Sequence, residues 1–467
     1  MSEVMEKLSD AAHRLRARLA GADAPFMRVV TDTRSLRAGD LFVALKGENF
    51  DGHHFLEQAA KAGAAGAIVS GEFLQQVKPL KLPKLGLIPV PEPLAALQDY
   101  AASWRQDFSI PLVAVTGSNG KTTTKQLLAS VLAARGPVLA TEGNLNNHIG
   151  VPLMLCRLRG EHRIAVIEMG ASNPGEIALL ARLAKPTIGI VTQAGDAHLE
   201  GFGTREGVAR AKGELFAALS GGVAIINADD AFAPMWTQLA GSNQIIRFGF
   251  APDADIVGEG ISLTPEGAAF MLTTPRGRVG VHLPLAGRHN VANALAAAAA
   301  GHALGLAPDG IAEGLAAVLA PKGRVAMQVT TDGVRIFDDS YNANPTSLHA
   351  AMELLAQEHG TRILVLGDMA ELGANAAALH AQAGERALKL GLEGLFTLGP
   401  LSAHAAQAFG AGGLAFNSYE ALVASLKPHL ATGMTVLVKG SRSSRMERVV
   451  AALINSPAGN AGKKGSH

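Results

Sequence analysis

The chain has a single cysteine, Cys156, among 467 residues. One thiol excludes an intramolecular disulfide framework and any multi-cysteine zinc site, and it fits a reducing compartment. Neither sign of charge is in surplus: 41 Lys and Arg stand against 40 Asp and Glu. A broad basic footprint for nucleic acid is therefore missing, although local basic sites for anionic ligands remain open. Long hydrophobic runs are missing too. The longest, residues 294–301, is too short to span a bilayer and is bounded by Asn293 and His302. The N-terminal stretch MSEVMEKLSDAAHRLRARLA is charged throughout and lacks the apolar core of a signal peptide. These shortages predict a cytoplasmic chain with no membrane insertion. What remains, 48% apolar and 17% charged residues, is a globular composition. The length suggests about three domains.

The most informative stretch is PLVAVTGSNGKTTTK, residues 111–125. A buried-strand signal, Leu112-Val113-Ala114-Val115, breaks into Thr116-Gly117-Ser118-Asn119-Gly120-Lys121-Thr122 and then into a helix pattern. Glycines let the backbone wrap closely around a phosphate, and amides at the N-terminus of the new helix point at its oxygens. Lys121 adds a mobile positive charge, and the Thr122 hydroxyl is placed to ligate Mg²⁺. The general phosphate loop has a glycine five residues before the Gly-Lys pair. Here Val115 stands there, leaving a shorter G-x-x-G-K-T.

The pattern around this loop predicts an α/β protein. Residues 5–20 read as an amphipathic helix with a basic face, and short strands are expected at 28–30, 41–45 and 67–69. Five prolines in residues 77–93 suit a semi-rigid linker ending in a strand. Strand signals at 111–116, 137–141, 164–169, 187–192 and 223–227 alternate with helices, which argues for a parallel sheet covered on both faces. Residues 244–285 switch to shorter strands, and 289–305 read as an alanine-rich buried helix. A third alternation begins after Pro321-Lys322-Gly323. The expected limits are 1–88, 89–321 and 322–457, with 458–467 as a flexible tail.

Several polar residues fall at strand ends, where ligands of doubly wound sheets bind. Glu168 is placed either to hold Mg²⁺ or to cap the next helix. His198 also follows a strand, although Mg²⁺ prefers oxygen ligands, so position rather than chemistry favours it. Lys212 lies on a helix, where a lone lysine is usually solvated. Asn144, Asn146 and Asn147 form an amide cluster that suits either phosphate and sugar oxygens or a plain turn. Asn290 and Asn293 share a helix face, so both amides could read a purine edge; Asn290 could equally be an N-cap. Arg324 could reach a phosphate, and an aspartate of the Asp338-Asp339-Ser340-Tyr341-Asn342-Ala343-Asn344-Pro345 segment could bind ribose.

Together these motifs resemble the Mur ligase family, ATP-dependent enzymes that build the peptidoglycan peptide stem. Thr116 to Thr123 is similar to that family's shortened phosphate loop. Within the family, four groups of residues resemble the branch that joins D-alanyl-D-alanine to UDP-N-acetylmuramoyl-tripeptide. They are Thr31-Asp32-Thr33-Arg34 with Leu41 to Gly47, the asparagine cluster, Ala211-Lys212-Gly213-Glu214, and residues 338–345 with Val438-Lys439-Gly440-Ser441-Arg442. The Asp-Asn-Pro motif of the sister ligase that adds a diamino acid is absent. Another single-amino-acid ligase of this type, or one like folylpolyglutamate synthase, is the alternative. Outside the family, a phosphate-loop nucleotide switch and a silent UDP-sugar scaffold are the rivals.

The resemblance implies a small N-terminal α/β UDP-binding domain, a central parallel-sheet phosphate-loop ATPase domain and a C-terminal domain like a dinucleotide-binding (Rossmann-like) fold. The protein is expected to be a monomer using ATP and Mg²⁺ and proceeding through an acyl phosphate. Gly117, Ser118, Asn119, Gly120, Lys121, Thr122 and Thr123 match the ATP loop. Thr122, Glu168 and His198 match Mg²⁺ ligands, and Lys212 matches a lysine carried as a carbamate. Asn290 and Asn293 match adenine contacts, Arg324 a phosphate contact and Asp339 a ribose contact. Thr31, Asp32, Thr33, Arg34, Ser35, Lys46 and Gly47 are expected at the uridine site. Asn144, Asn146, Asn147, Tyr341, Asn344, Lys439, Ser441 and Arg442 are expected to touch substrate. Catalysis then requires the third domain to close on the second.

Overall fold

A computed structural model describes residues 3–76, 85–319 and 326–454. It contains sheets of four, nine and six strands, one after another along the chain, and a two-stranded ribbon pairing Glu6–Lys7 with Pro25–Phe26. The ribbon shortens the helix expected over 5–20 to Leu8–Arg14, and Arg16 in left-handed backbone (φ 51°) ends it.

The first sheet is parallel in the order Arg28–Val30, Asp40–Val43, Gly66–Ser70, Gly86–Val90. The last strand sits at the edge, which is why it accommodates Pro89. Leu87 N–H points away from the sheet to Ala20 O (2.7 Å), so Pro89, two residues on, lacks its donor on that same outer side. This strand carries the first sheet past residue 88. Immediately after it, Glu92 and Pro93 start a helix, Pro93–Gln106, that the sequence expectations do not contain. Its buried face, including Leu97, Tyr100 and Trp104, joins one core with both the first sheet and the central sheet.

The central sheet runs in the order Gly277–Leu283, Gly267–Thr274, Ile256–Thr264, Gln244–Gly249, Val223–Asn227, Ile188–Val191, Leu112–Thr116, Ile164–Glu168, Val138–Ala140. It is parallel from Val138–Ala140 through Ile256–Thr264, and the remaining two strands are antiparallel. Leu112 and Ala114 enter one core while Val113 and Val115 enter the core on the opposite face. This two-residue alternation explains why the strand reads as uninterrupted apolar sequence. The helix Arg288–Ala303 packs against Lys121–Leu132, the helix that opens from the phosphate loop. Its alanines allow that close approach.

The third sheet has the order Ala326–Val329, Arg335–Asp339, Thr435–Lys439, Arg362–Gly367, Gly394–Leu398, Gly413–Phe416, antiparallel only at the first pair. This domain bonds directly to the central one. Asn119 Nδ2 donates to Asn344 Oδ1 (3.2 Å), and Asn344 Nδ2 returns a bond to Asn119 Oδ1 (2.8 Å). Asp196 N–H donates to Thr346 Oγ1 at 3.3 Å. No described helix is long and apolar enough to cross a membrane.

Candidate active site

The phosphate loop leaves the strand Leu112–Thr116 at its carboxyl end and turns into the helix Lys121–Leu132. Two glycines are required by geometry. At Gly117 (φ 142°) an added Cβ would meet Thr192 Oγ1 at 2.0 Å, and at Gly120 (φ 82°) it would meet Asn293 Oδ1 at 2.2 Å. Gly120 caps the helix without a side chain, so the first-turn amides lack intrahelical partners and form an anion-binding end. Lys121 Nζ donates to Gly117 O (2.6 Å) and Ser118 O (3.3 Å), which holds the charge against the loop. Ser118 Oγ exchanges bonds with Gly195 and braces the loop.

Thr122 and Glu168 come together: Thr122 Oγ1 donates to Glu168 Oε2 at 3.0 Å. The Glu168 carboxylate also accepts from Asn146 Nδ2 (2.8 Å) and lies 3.3 Å from Lys125 Nζ. Both Glu168 and Lys125 are buried. The capping alternative for Glu168 fails, because the next helix, Glu176–Ala184, is capped at Gly175, whose N–H donates to Glu214. Lys125 was not expected here. It lies three residues after Thr122 on one helix face, which is the signal that would have found it.

Lys212 is buried, contrary to the usual exposure of a helical lysine. Its Nζ donates to Ala171 O at 3.0 Å and sits 5.0 Å from the Phe202 ring centroid. Burial, with repulsion from Lys121 second, lowers its pKa from 10.5 to about 7. His198 stands beside the same segment. Its Nδ1 is 3.3 Å from Ser172 Oγ, and its ring meets Phe202 edge-on. The same Nδ1 contacts the carboxylate of Glu371 from the third domain. Among the described residues no three His, Cys, Asp or Glu side chains group as a metal site. Of the four residues expected around a cation, Thr122 and Glu168 bond each other, while His198 and Lys212 contact the neighbouring Ser172 and Ala171 of another segment.

A cavity of about 550 Å³ joins the phosphate loop to the third domain, a volume within the usual range for ligand sites. Residues 118–123, Asn290 and Asn293 line it from the central domain; Asp339, Tyr341, Asn344 and Lys439 line it from the third. Asn290 is not the N-cap, which is Gly287; its Nδ2 donates to Ala286 O (2.7 Å) and its Oδ1 accepts from Asn293 Nδ2 (3.2 Å). Asp339 and Lys439, opposite each other on adjacent strands, form a buried ion pair, and Lys439 Nζ also donates to Asn342 O at 3.0 Å. His289, Phe248 and Phe250 line the same space without having been singled out from sequence. An ATP molecule with an oxygen-coordinated cation fits these groups: a glycine cradle, Lys121, and the Thr122–Glu168 oxygens at the loop.

Other expected site residues have local structural partners. Asn147 Oδ1 accepts from Gly150 N (2.8 Å) at the start of a helix, Asn146 holds Glu168, and Asn144 is exposed. Ser441 Oγ lies among the hydroxyls of Ser443 and Ser444, while Arg442 pairs with Glu447 and reaches the cavity only through the Tyr341 ring, 5.8 Å away. In the first domain, Asp32 accepts from Arg34 N (2.9 Å) and pairs with the Arg34 side chain, ordering Thr33–Ser35. Thr31 to Ser35 and Lys46-Gly47 follow two adjacent parallel strands, so both loops lie on one carboxyl edge. Arg324 and the junction at 321–323 lie outside the described residues.

Three α/β domains, with a phosphate loop opening on a cavity that the third domain also lines, define a protein of the nucleotide-binding class. Residues 26–105 match the Mur ligase family catalytic domain, 115–301 the Mur ligase middle domain, and 323–442 the Mur ligase glutamate ligase domain. UDP-N-acetylmuramoyl-tripeptide–D-alanyl-D-alanine ligase from Escherichia coli is 45% identical over 450 residues, covering 96% of this chain and 98% of that one. A crystal structure of MurF from Acinetobacter baumannii superposes with a TM-score of 0.90 at 34% identity, over 97% of this chain and 100% of that one. MurF ligase from Thermotoga maritima in complex with ADP gives 0.78 at 29% identity, covering 91% and 96%. The chain belongs to the Mur ligase family.

Proposed function

We propose that this chain joins D-alanyl-D-alanine to the tripeptide carboxylate of UDP-N-acetylmuramoyl-tripeptide, consuming ATP and yielding the pentapeptide precursor of peptidoglycan. The relatives of that name match essentially end to end, and their likeness extends through all three domains. The observation that carries the reading is the shared cavity, which gathers the phosphate loop and third-domain residues around one space.

A carboxylate resists amine attack because its leaving group would be an oxide. ATP supplies the phosphoryl group that makes it an acyl phosphate, which the dipeptide amine then attacks to release phosphate. Lys121 and the first-turn amides offset charge on the transferring group. Asn290 and Asn293 would face the base, Asp339 would face the ribose, and Thr122 and Glu168 would hold Mg²⁺. Lys212, with a pKa lowered to about 7 by burial, would supply the neutral amine that carbamate formation needs, and a carbamate there would offer an anionic oxygen of the kind Mg²⁺ prefers. The uridine moiety sits at the loops containing Thr31 to Ser35 and Lys46-Gly47. Units ending near residues 90 and 321 divide this work, in a cytoplasmic setting where the precursor is made. Phosphate release with UDP-N-acetylmuramoyl-tripeptide tests the reading, comparing D-alanyl-D-alanine with single amino acids. Turnover with only a single amino acid would overturn it.

A further inference from the structure

We propose that Glu371, carried by the third domain, positions His198 of the central domain, so that docking of the third domain sets the imidazole for metal ligation. The inference deepens the reading above and rests on its assignment of His198. A ligating histidine needs one ring nitrogen free of hydrogen, and a carboxylate on the other nitrogen fixes that tautomer and raises ligand basicity. His198 Nδ1 lies against Glu371 Oε2; with a single proton held on Nδ1 for that carboxylate, Nε2 would carry the lone pair.

The contact is built by more than two mobile side chains. Glu200, two residues beyond His198, donates its N–H to Glu371 O at 3.4 Å. His198 (φ 55°) and Glu371 (φ 60°) both hold left-handed backbone, a conformation ordinary residues keep only where their surroundings impose it. Phe202 closes one side of the ring at 6.4 Å between centroids, and Ser172 Oγ approaches the same Nδ1 at 3.3 Å. The His198 and Glu371 side chains are 29% and 49% exposed. A pair that open contributes little to folding stability, so orientation is the role left to it.

The test uses the full chain labelled with ¹⁵N-histidine, in which long-range ¹H–¹⁵N correlations report the His198 tautomer without metal. The expected result is the Nδ1–H tautomer in the unaltered protein and a mixed population in Glu371→Ala. Glu371→Gln should restore the tautomer, because its amide oxygen still accepts. In turnover, Glu371→Ala should raise the Mg²⁺ concentration for half-maximal rate about tenfold, with recovery in Glu371→Gln. Thermal unfolding should be nearly unchanged in both variants. Glu371→Leu, which keeps side-chain bulk without an acceptor, replaces alanine if that variant fails to fold. An unchanged tautomer, or an unchanged Mg²⁺ requirement, overturns the proposal. Because the tautomer is read without metal or substrate, failure of the unaltered chain to ligate would sink the functional reading instead.

Discussion

Replacing Lys212 with methionine should abolish ligation yet make the protein more stable. In the folded chain the amine titrates at about 7, against 10.5 for an ordinary lysine. At pH 7.5 an exposed lysine of the unfolded chain is protonated, whereas most of the buried population is neutral. Removing that proton three pH units below the ordinary pKa costs about 4 kcal/mol. Methionine avoids this cost while filling similar space. It forfeits the bond from Nζ to Ala171 O, about 1 kcal/mol net, leaving an expected gain of roughly 2–3 kcal/mol. The pH dependence has a definite sign. Between pH 7 and 10.5 the unfolded state binds the extra proton, so unaltered metal-free protein should gain stability as pH rises through that window. Carbon dioxide must be excluded, since carbamate formation would itself stabilise the folded state. Urea unfolding of both proteins at pH 7.5 and pH 9.5 measures the gap, which should shrink at the higher pH. Full turnover by Lys212→Met would refute the carbamate role, and a gap independent of pH would refute the buried neutral amine.

Lys121→Ala should lose ligation while binding UDP-N-acetylmuramoyl-tripeptide nearly as before, because the uridine loops and phosphate loop belong to separate domains; calorimetric titration checks this, and collapse of that affinity contradicts it. Lys439→Met should destabilise the third domain by about 3–5 kcal/mol by leaving the buried Asp339 carboxylate unpaired, while the double change with Asp339→Asn should recover much of the loss in urea unfolding. Lys125→Met should lower the melting temperature of metal-free protein more than that of protein in saturating Mg²⁺, because a bound cation would compensate Glu168 in place of the missing ammonium; equal shifts would contradict that pairing.

The phosphate loop was legible because its determinants are local: strand, positive-φ glycines, lysine and the helix start follow one another without a break from Leu112 to Thr122. The same holds for the alternating sheets, where periodicity alone locates most elements. The helix Pro93–Gln106 escaped because the prolines before it dominate the local signal, although Glu92 followed by Pro93 is a recognisable helix start. Burial of Lys212 could not be read from a helix pattern, since it depends on Phe202 and Ala171 arriving from other segments. Asn344 illustrates a harder limit. Its segment looks like a polar loop, yet its amide caps the helix Pro345–Ala356 through Ser347 N and also bonds Asn119, 225 residues away.

That difference between local and distant bonding divides the site into two halves with different timing. Glu168 is fixed by Thr122, Asn146 and, through its backbone N–H, Thr141, all within 46 residues and all in the central domain. This half takes those bonds from the central domain alone. His198 and Asn119, by contrast, each take a partner from the third domain, at separations of 173 and 225 residues. Their geometry is complete only while the domains are docked. On the proposed role of His198, nucleotide binding would not by itself orient the imidazole, whereas docking of the third domain would. Such an order suits a reaction whose acyl phosphate is lost if water reaches it before the amine. If the third domain closes and reopens in each cycle, the Glu371 and Asn344 contacts meet a stricter requirement than stability: they must form in the docked state and release afterwards. Partly exposed polar pairs meet that requirement, and a buried apolar seam between the domains would not.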